Sequence, residues 1–126
     1  MTGVKVVDAS AAAAILFGEA EADEIRKRLE GAQLVAPTLL AYELANVCLV
    51  KGRRHPGMRE GYLASFALRQ RLAIEELSVD AAGAVELAHS SGLSLYDAAY
   101  LWLARQLAAE LVTLDKALDR AAAARS

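Results

Sequence analysis

Four carboxylates in this sequence have the residue type and the placement that metal-assisted chemistry requires. They are Asp8, Glu43, Asp97 and Asp115. Asp8 ends a β-branched run and Asp115 ends an apolar one, and each stands directly before a segment of helix-forming residues. Because ligands bind outside the carboxyl ends of parallel strands, residues that leave a strand are the first candidates for a site. A capping role at the helix start explains either aspartate equally well when it is taken alone.

The other two carboxylates belong to apolar helical segments. Glu43 shares a helix face with Leu44 and Val47, where an unpaired carboxylate would cost several kcal/mol unless it met a partner or a cation. Its side chain leans toward the helix N-terminus, which is the carboxyl edge of the sheet. A purely structural Glu43 is the alternative. Asp97 opens the most apolar helix, and Ser94 precedes it in a capping-box pattern that explains it without catalysis.

A shared position for these four side chains would require a cation. Two like charges 4 Å apart repel by about 4 kcal/mol at an effective dielectric of 20, so four converging carboxylates cannot all stay ionised alone. His55 and His89 have no partner at ligand spacing, so the ligands would be oxygen atoms. Oxygen ligands favour Mg²⁺ or Mn²⁺ over zinc. Such an ion activates water and steadies a phosphate leaving group, so the pattern favours a nuclease.

Strand-like and helix-like segments alternate along the chain. This alternation predicts an α/β fold, in which a parallel sheet of about four strands is covered by helices on both faces. The predicted strands are Val4–Val7, Leu34–Ala36, Ala73–Leu77 and Leu111–Leu114. The predicted helices follow Ala9, span Glu19–Glu30, run from an N-cap at Thr38 to about Val50, span Met58–Leu72, run from Ser78 or Asp80 to Ser91, run from an N-cap at Ser94 to Ala109, and follow Lys116.

The length and the charge of the chain indicate how many domains it forms and which partners it could bind. At 126 residues the chain has room for one domain, expected over residues 1–126, and its single cysteine excludes an internal disulfide. Charges interrupt every long apolar stretch and no signal-type segment opens the chain, so we expect a soluble cytoplasmic protein without a membrane partner. The net charge of −2 means that any binding to RNA needs a local basic patch or metal ions.

One local concentration of positive charge could contact RNA. Lys51, Arg53 and Arg54 stand in a predicted loop, although an ordinary solvated loop explains them as well. Two aromatic residues also have both a structural and a functional interpretation. Tyr100 fits the core or a subunit interface better than a base-stacking platform, and Tyr62 fits the core or an apolar groove for a partner segment.

Four motifs in order resemble those of PIN-domain ribonucleases, and their size and spacing resemble VapC-type toxins of toxin–antitoxin pairs. The motifs are Val6–Ser10, Glu43–Val47, Leu95–Tyr100 and Leu111–Asp115. The resemblance implies a three-layer α/β/α fold in which the acidic quartet binds one or two Mg²⁺ or Mn²⁺ ions. It also implies supporting roles for Ser10, Asn46 and Thr113, a weaker fifth carboxylate at Asp119, a small cognate antitoxin and a homodimer.

The predicted function is metal-dependent cleavage of RNA phosphodiesters that leaves 5′-phosphate and 3′-hydroxyl ends. Two hypotheses from other classes stay open. One is a catalytically silent PIN-like interaction module. The other is a phospho-accepting signalling domain modified at Asp8, although a dehalogenase-type nucleophile would need a second aspartate where this chain has Ser10.

Overall fold

Four short strands form one sheet in the computed structural model, which describes residues 3–124. The strands are β1 Val4–Val7, β2 Gln33–Pro37, β3 Ile74–Leu77 and β4 Glu110–Val112. Their order is β3-β2-β1-β4, and every neighbouring pair is parallel. Val7 pairs with Val112, so the residues that follow β1 and β4 leave the sheet side by side. The predicted α/β fold with a parallel sheet is confirmed.

In the part of the chain that the structure describes, seven helices surround the sheet in a three-layer α/β/α arrangement. They are α1 Ala9–Leu16, α2 Ala22–Leu29, α3 Leu40–Arg54, α4 Arg59–Ala67, α5 Ala81–Ser91, α6 Leu95–Gln106 and α7 Lys116–Ala123. Short 3₁₀ turns at Pro56–Met58 and Arg69–Leu72 flank α4. Helix α6 packs across β1, β2 and β4 and contacts α5 and α7, while α1 contacts α2 and α3. Among residues 3–124, no helix combines the length and the apolar character of a membrane span.

Small and β-branched side chains explain how closely these layers pack. Val6 and Val7 of β1 are fully buried, as is Val112 of β4. The alanines Ala11–Ala14 bury four successive positions of α1, which only side chains without bulk allow on every side of a helix. The alanine excess of the sequence therefore reflects close contact between helices and sheet.

The structure corrects the predicted start and end of α3. Thr38 does not cap the helix, because its backbone N–H bonds to the carbonyl of Leu77 and prolongs the β2–β3 pairing. The helix then continues to Arg54, past the predicted end near Val50. Gly52 is buried there against Arg59 of α4, which stabilises a turn that the sequence alone marks as a loop.

Other boundaries differ from the predicted ones by less. Helix α2 lacks the predicted residues before Ala22, and α4 is shorter than Met58–Leu72 because 3₁₀ turns replace both of its ends. Helix α6 stops at Gln106, since Ala108 has a positive φ of 49° and cannot continue a right-handed helix. The predicted end of α5 is confirmed, with Gly92 as its left-handed cap.

Candidate active site at the carboxyl edge of the sheet

Asp8 is the buried carboxylate at the carboxyl edge of the sheet. It follows β1 and is 5% exposed. Its Oδ1 accepts hydrogen bonds from the Ser10 hydroxyl at 2.7 Å and from the Ala11 backbone N–H at 3.0 Å. Its Oδ2 accepts one from the Thr113 hydroxyl. Asp8 is therefore the N-cap of α1, as predicted, and its carboxylate is also held in one orientation by side chains from two segments.

Ser10 and Thr113 tie the segment after β1 to the segment after β4. The Ser10 hydroxyl accepts from the Leu114 backbone N–H at 2.9 Å, and the Thr113 hydroxyl accepts from the Asp115 N–H at 2.9 Å. Thr113 and Leu114 lie beyond β4, which ends at Val112 and not at the predicted Leu114. The end of the strand frees these backbone groups to bond with the candidate site.

Glu43 enters the site from the first turn of α3. It is half-buried, and its Oε1 accepts a 2.6 Å hydrogen bond from the hydroxyl of Tyr100 on α6. The ring of Tyr100 is buried, as its placement in the core predicts. Its hydroxyl contact was missed in the sequence. The available signal was its position three residues after Asp97, which places both on one face of α6.

Asp97 and Asp115 reach the site from the first turns of α6 and α7. Asp97 is half-buried, and its N–H donates to the Ser94 hydroxyl at 3.1 Å, in the predicted capping geometry. Asp115 is exposed and is the N-cap of α7, where its Oδ1 accepts from the Leu118 N–H at 2.8 Å. The hydrogen bonds predicted for helix capping are therefore present at both helix starts. Neither capping role excludes a second one, since the carboxylates stand at one edge of the sheet.

Burial and mutual repulsion hold three of these carboxyl groups less acidic than usual. Burial raises the pKa of Asp8, which hydrogen bonds from Thr113, Ala11 and Ser10 partly offset, and the charge of Asp115 raises it further. Burial also raises the pKa of Glu43 and that of Asp97. The Asp8 charge adds to both shifts. The four predicted side chains therefore lie within electrostatic range of one another.

The donor set fits a hard divalent cation, although the side chains do not form a finished metal centre. Within residues 3–124, no three carboxylate, imidazole or thiolate groups stand close enough together to hold one ion. The groups present are carboxylates, which Mg²⁺ and Mn²⁺ prefer. Oδ2 of Asp8 accepts one hydrogen bond and so keeps a lone pair for a cation. A cation would also offset the burial and the mutual repulsion that together raise the three pKa values.

The remaining predicted residues lie at different distances from this edge. Asn46 is exposed and lines a cavity beside Glu43. Asp119, the weaker fifth candidate, lines a separate cavity with Arg105 and Glu110, where β4 begins. The structure therefore places Asn46 beside Glu43 alone among the four carboxylates of the quartet and places Asp119 at another cavity.

The basic residues stand on the last turn of α3 and not in a loop as predicted. The Lys51 ammonium pairs with Glu19 at 2.7 Å and lies over the ring of Tyr62, so its charge is used within the fold. Arg53 and Arg54 are exposed. Positive side chains are favourable at a helix C-terminus, so this position explains them without RNA.

The family model of the PIN domain matches residues 5–124, so the chain belongs to the PIN-domain family. Within that family, a VapC protein is among its relatives. The chain is 34% identical over 120 residues to Ribonuclease VapC3 of Pyrobaculum aerophilum, and the match covers 90% of each protein. The resemblance seen in the four motifs is confirmed.

Two solved structures share the fold. The crystal structure of PAE2754 from Pyrobaculum aerophilum superposes with a TM-score of 0.75 at 23% identity, covering 96% of this chain and 87% of that one. VapC20 of Mycobacterium tuberculosis, described as a sarcin-ricin loop cleaving toxin, superposes with a TM-score of 0.65 at 19% identity, covering 93% and 94%. At these identities the likeness supports the fold alone.

Proposed function

We propose that this chain is a metal-dependent endoribonuclease and the toxin of a type II toxin–antitoxin pair. The observation that carries the proposal is the buried, fixed carboxylate of Asp8, whose pKa is raised by burial and then by Asp115, at an edge shared with Glu43 and Asp97. Concentrated negative charge at the carboxyl end of a parallel sheet is what a divalent cation would neutralise. The similarity to Ribonuclease VapC3 supports RNA as the substrate.

Asp8, Glu43, Asp97 and Asp115 would hold Mg²⁺ or Mn²⁺. When bound, the ion would supply a water of lowered pKa and neutralise charge on the phosphate. The Ser10 and Thr113 hydroxyls keep Asp8 in one orientation, and Tyr100 does the same for Glu43. The products would carry 5′-phosphate and 3′-hydroxyl ends.

The proposed biological setting follows from the VapC relationship. A small cognate antitoxin would cover this acidic edge, and the toxin would act in the cytoplasm as a homodimer of chains that each form one domain over residues 1–126. Arg53 and Arg54 are the proposed contacts to RNA phosphates. Lys51 contributes less, because Glu19 already balances its charge.

Cleavage of RNA by the purified, antitoxin-free protein tests the proposal. We expect cleavage with Mg²⁺ or Mn²⁺, no cleavage with EDTA, and a loss of at least 100-fold in Asp8→Asn and in Asp97→Asn. Asp23→Asn is the matched control, because Asp23 is exposed on α2 and pairs with Arg26. Cleavage that survives EDTA and both substitutions would reject the mechanism.

The two rival hypotheses make different predictions. A phospho-accepting Asp8 would take up label from a phosphoryl donor, and that label would resist acid and be labile to alkali. A silent module would show no saturable rise in melting temperature on titration with Mn²⁺. A filled acidic site stabilises the fold by RT ln(1 + [L]/Kd), so a saturable rise favours the nuclease.

A further inference from the structure

Two exposed tyrosines flank the candidate site. Tyr42 is 85% exposed and Tyr96 is 61% exposed. Each directly precedes a proposed metal-binding carboxylate, Glu43 on α3 and Asp97 on α6. Because successive residues of a helix point about 100° apart, the rings turn away from the carboxylates while staying beside them.

Both rings line one cavity, which also touches the acidic edge. Its volume is about 500 Å³. Its walls include the apolar side chains of Leu39 and Val47, and Glu43 and Asn46 supply the polar groups. Glu43 belongs both to this cavity and to the carboxylate group, so the cavity continues the site. The volume lies within the range of pockets that hold small organic ligands.

We propose that Tyr42 and Tyr96 bind an unpaired base of the RNA substrate, next to the phosphate that is cleaved. This proposal rests on the proposed function. Flat aromatic rings with apolar surroundings suit the faces of a nucleobase, and stacking requires a base that is not paired in a duplex. The exposed amide of Asn46 offers both a donor and an acceptor to the edge of that base.

The chemistry of the cavity favours a base over the other parts of RNA. A phosphate would be repelled by Glu43, and no Lys or Arg lines this cavity within the described part of the chain. A base is neutral, so it tolerates the nearby carboxylates. Tyrosine also loses little conformational freedom on binding, since its side chain has few rotatable bonds.

Steady-state cleavage of a single-stranded oligoribonucleotide tests this assignment. We expect Tyr42→Ala and Tyr96→Ala each to raise KM by roughly 5- to 100-fold and to change kcat less than KM. The variants Tyr42→Phe and Tyr96→Phe should keep the wild-type KM within about threefold. The control is Leu107→Ala, because Leu107 is an exposed apolar residue just beyond the C-terminal end of α6. Melting temperatures should stay unchanged, because all three side chains are exposed.

An abasic nucleotide in the RNA gives a second, independent measurement. Removal of the base that stacks on the tyrosines should weaken RNA binding by the wild type. With that abasic RNA, Tyr96→Ala should weaken binding little further. Equal KM values for wild type and both alanine variants, or fully additive losses, would overturn the assignment and leave the cavity to a protein partner. Fluorescence anisotropy with the same RNA measures binding directly and does not depend on cleavage. If the wild type binds this RNA without cleaving it, only the nuclease proposal fails.

Discussion

The hydrogen bond from Tyr100 to Glu43 joins α3 to α6 at the candidate site. Burial raises the pKa of Glu43, and this hydrogen bond acts in the opposite direction by favouring the ionised form. Burial, together with the Glu43 bond, raises the pKa of Tyr100, so the phenol stays a donor at every working pH. The contact therefore partly offsets the effect of burial and favours the ionised form of Glu43.

Removal of that hydroxyl should change the pH dependence of cleavage. In Tyr100→Phe the pKa of Glu43 rises, so we expect the acid limb of the pH–rate profile to move to higher pH. The free energy of unfolding should fall by about 1.5–3 kcal/mol, as for other hydrogen bonds to charged groups. Tyr62→Phe is the matched control, since its hydroxyl has only a long contact to the sulfur of Met58. An unmoved acid limb would contradict the role assigned to Tyr100.

Asp8 should destabilise the metal-free fold at neutral pH. Burial raises its pKa above the unfolded value of 3.8, so the folded state binds the proton more tightly than the unfolded state does. Stability is then lowest above the folded pKa and is recovered as pH falls through it toward 3.8. We expect the metal-free protein to melt at a higher temperature near pH 5 than near pH 8.

The substitution Asp8→Asn removes the buried negative charge and tests whether that charge destabilises the metal-free fold. With a chelator at pH 8, the variant should melt about 2–5 °C above wild type, which corresponds to about 1 kcal/mol. It should also lose the rise in melting temperature on addition of Mn²⁺. A variant that melts below wild type in the chelator would mean that the hydrogen bonds of Asp8 outweigh its burial.

Single residues were predictable from the sequence where local rules apply. Asp8, Asp97 and Asp115 stand at helix starts, and capping chemistry is legible in the neighbouring residues. The spacing of Tyr100 from Asp97 places both on one face of α6, but the partner of the Tyr100 hydroxyl was not predictable, because hydrophobic periodicity reports only which face is buried. Tyr96 was missed for the opposite reason, since exposure of an aromatic ring depends on the packing of other elements.

At the scale of elements, the contact between α5 and α6 depends on a glycine. A Cβ on Gly83 would lie 2.4 Å from Nε1 and 3.1 Å from Cδ1 of Trp102. A glycine inside a helix normally costs about 1 kcal/mol relative to alanine, so its presence in α5 indicates that the space matters more. The indole of Trp102 occupies the place of the missing side chain.

We expect Gly83→Ala to destabilise the protein by roughly 1–3 kcal/mol, because the rigid indole must move. Gly61→Ala is the control, since Gly61 lies in α4 and a Cβ there meets nothing within 4 Å. The control should be neutral or stabilising by up to about 1 kcal/mol. Chemical denaturation measures both. Equal stability of the two variants would show that α5 adjusts freely around Trp102.

The parallel sheet could be expected from the alternation of segments, while the order of its strands and the true length of α3 could not. Alternating segments predict a parallel sheet because a parallel connection needs a crossover, which here is helical. Near the end of α3, Gly52 packs against Arg59, a contact that no local pattern reveals. The extra turn carries Arg53 and Arg54 about 15 Å along the helix from Glu43, at a rise of 1.5 Å per residue.

At the scale of the whole molecule, this distance predicts how affinity depends on the length of the RNA. The net charge of −2 gives no general attraction to RNA, so Arg53 and Arg54 should act only on substrates long enough to reach them. We expect Arg53→Gln/Arg54→Gln to weaken binding of a long single-stranded RNA and to leave a short one unaffected. For the long RNA, the slope of log affinity against log salt should become shallower by about 1.4.

Arg26→Gln/Lys27→Gln on α2 is the control for that double variant, because it removes the same charge from another exposed surface. Fluorescence anisotropy at several salt concentrations gives the slopes. If both double variants change the slope equally, the effect comes from net charge and the last turn of α3 has no specific contact with RNA.

The bond from Thr113 to Asp8 joins residues 105 positions apart in the sequence. A ribosome that makes this chain therefore produces the first strand early and completes the carboxylate pocket only with the last one. Under the proposed function, a nascent chain or a truncated product that lacks β4 should therefore be unable to cleave RNA.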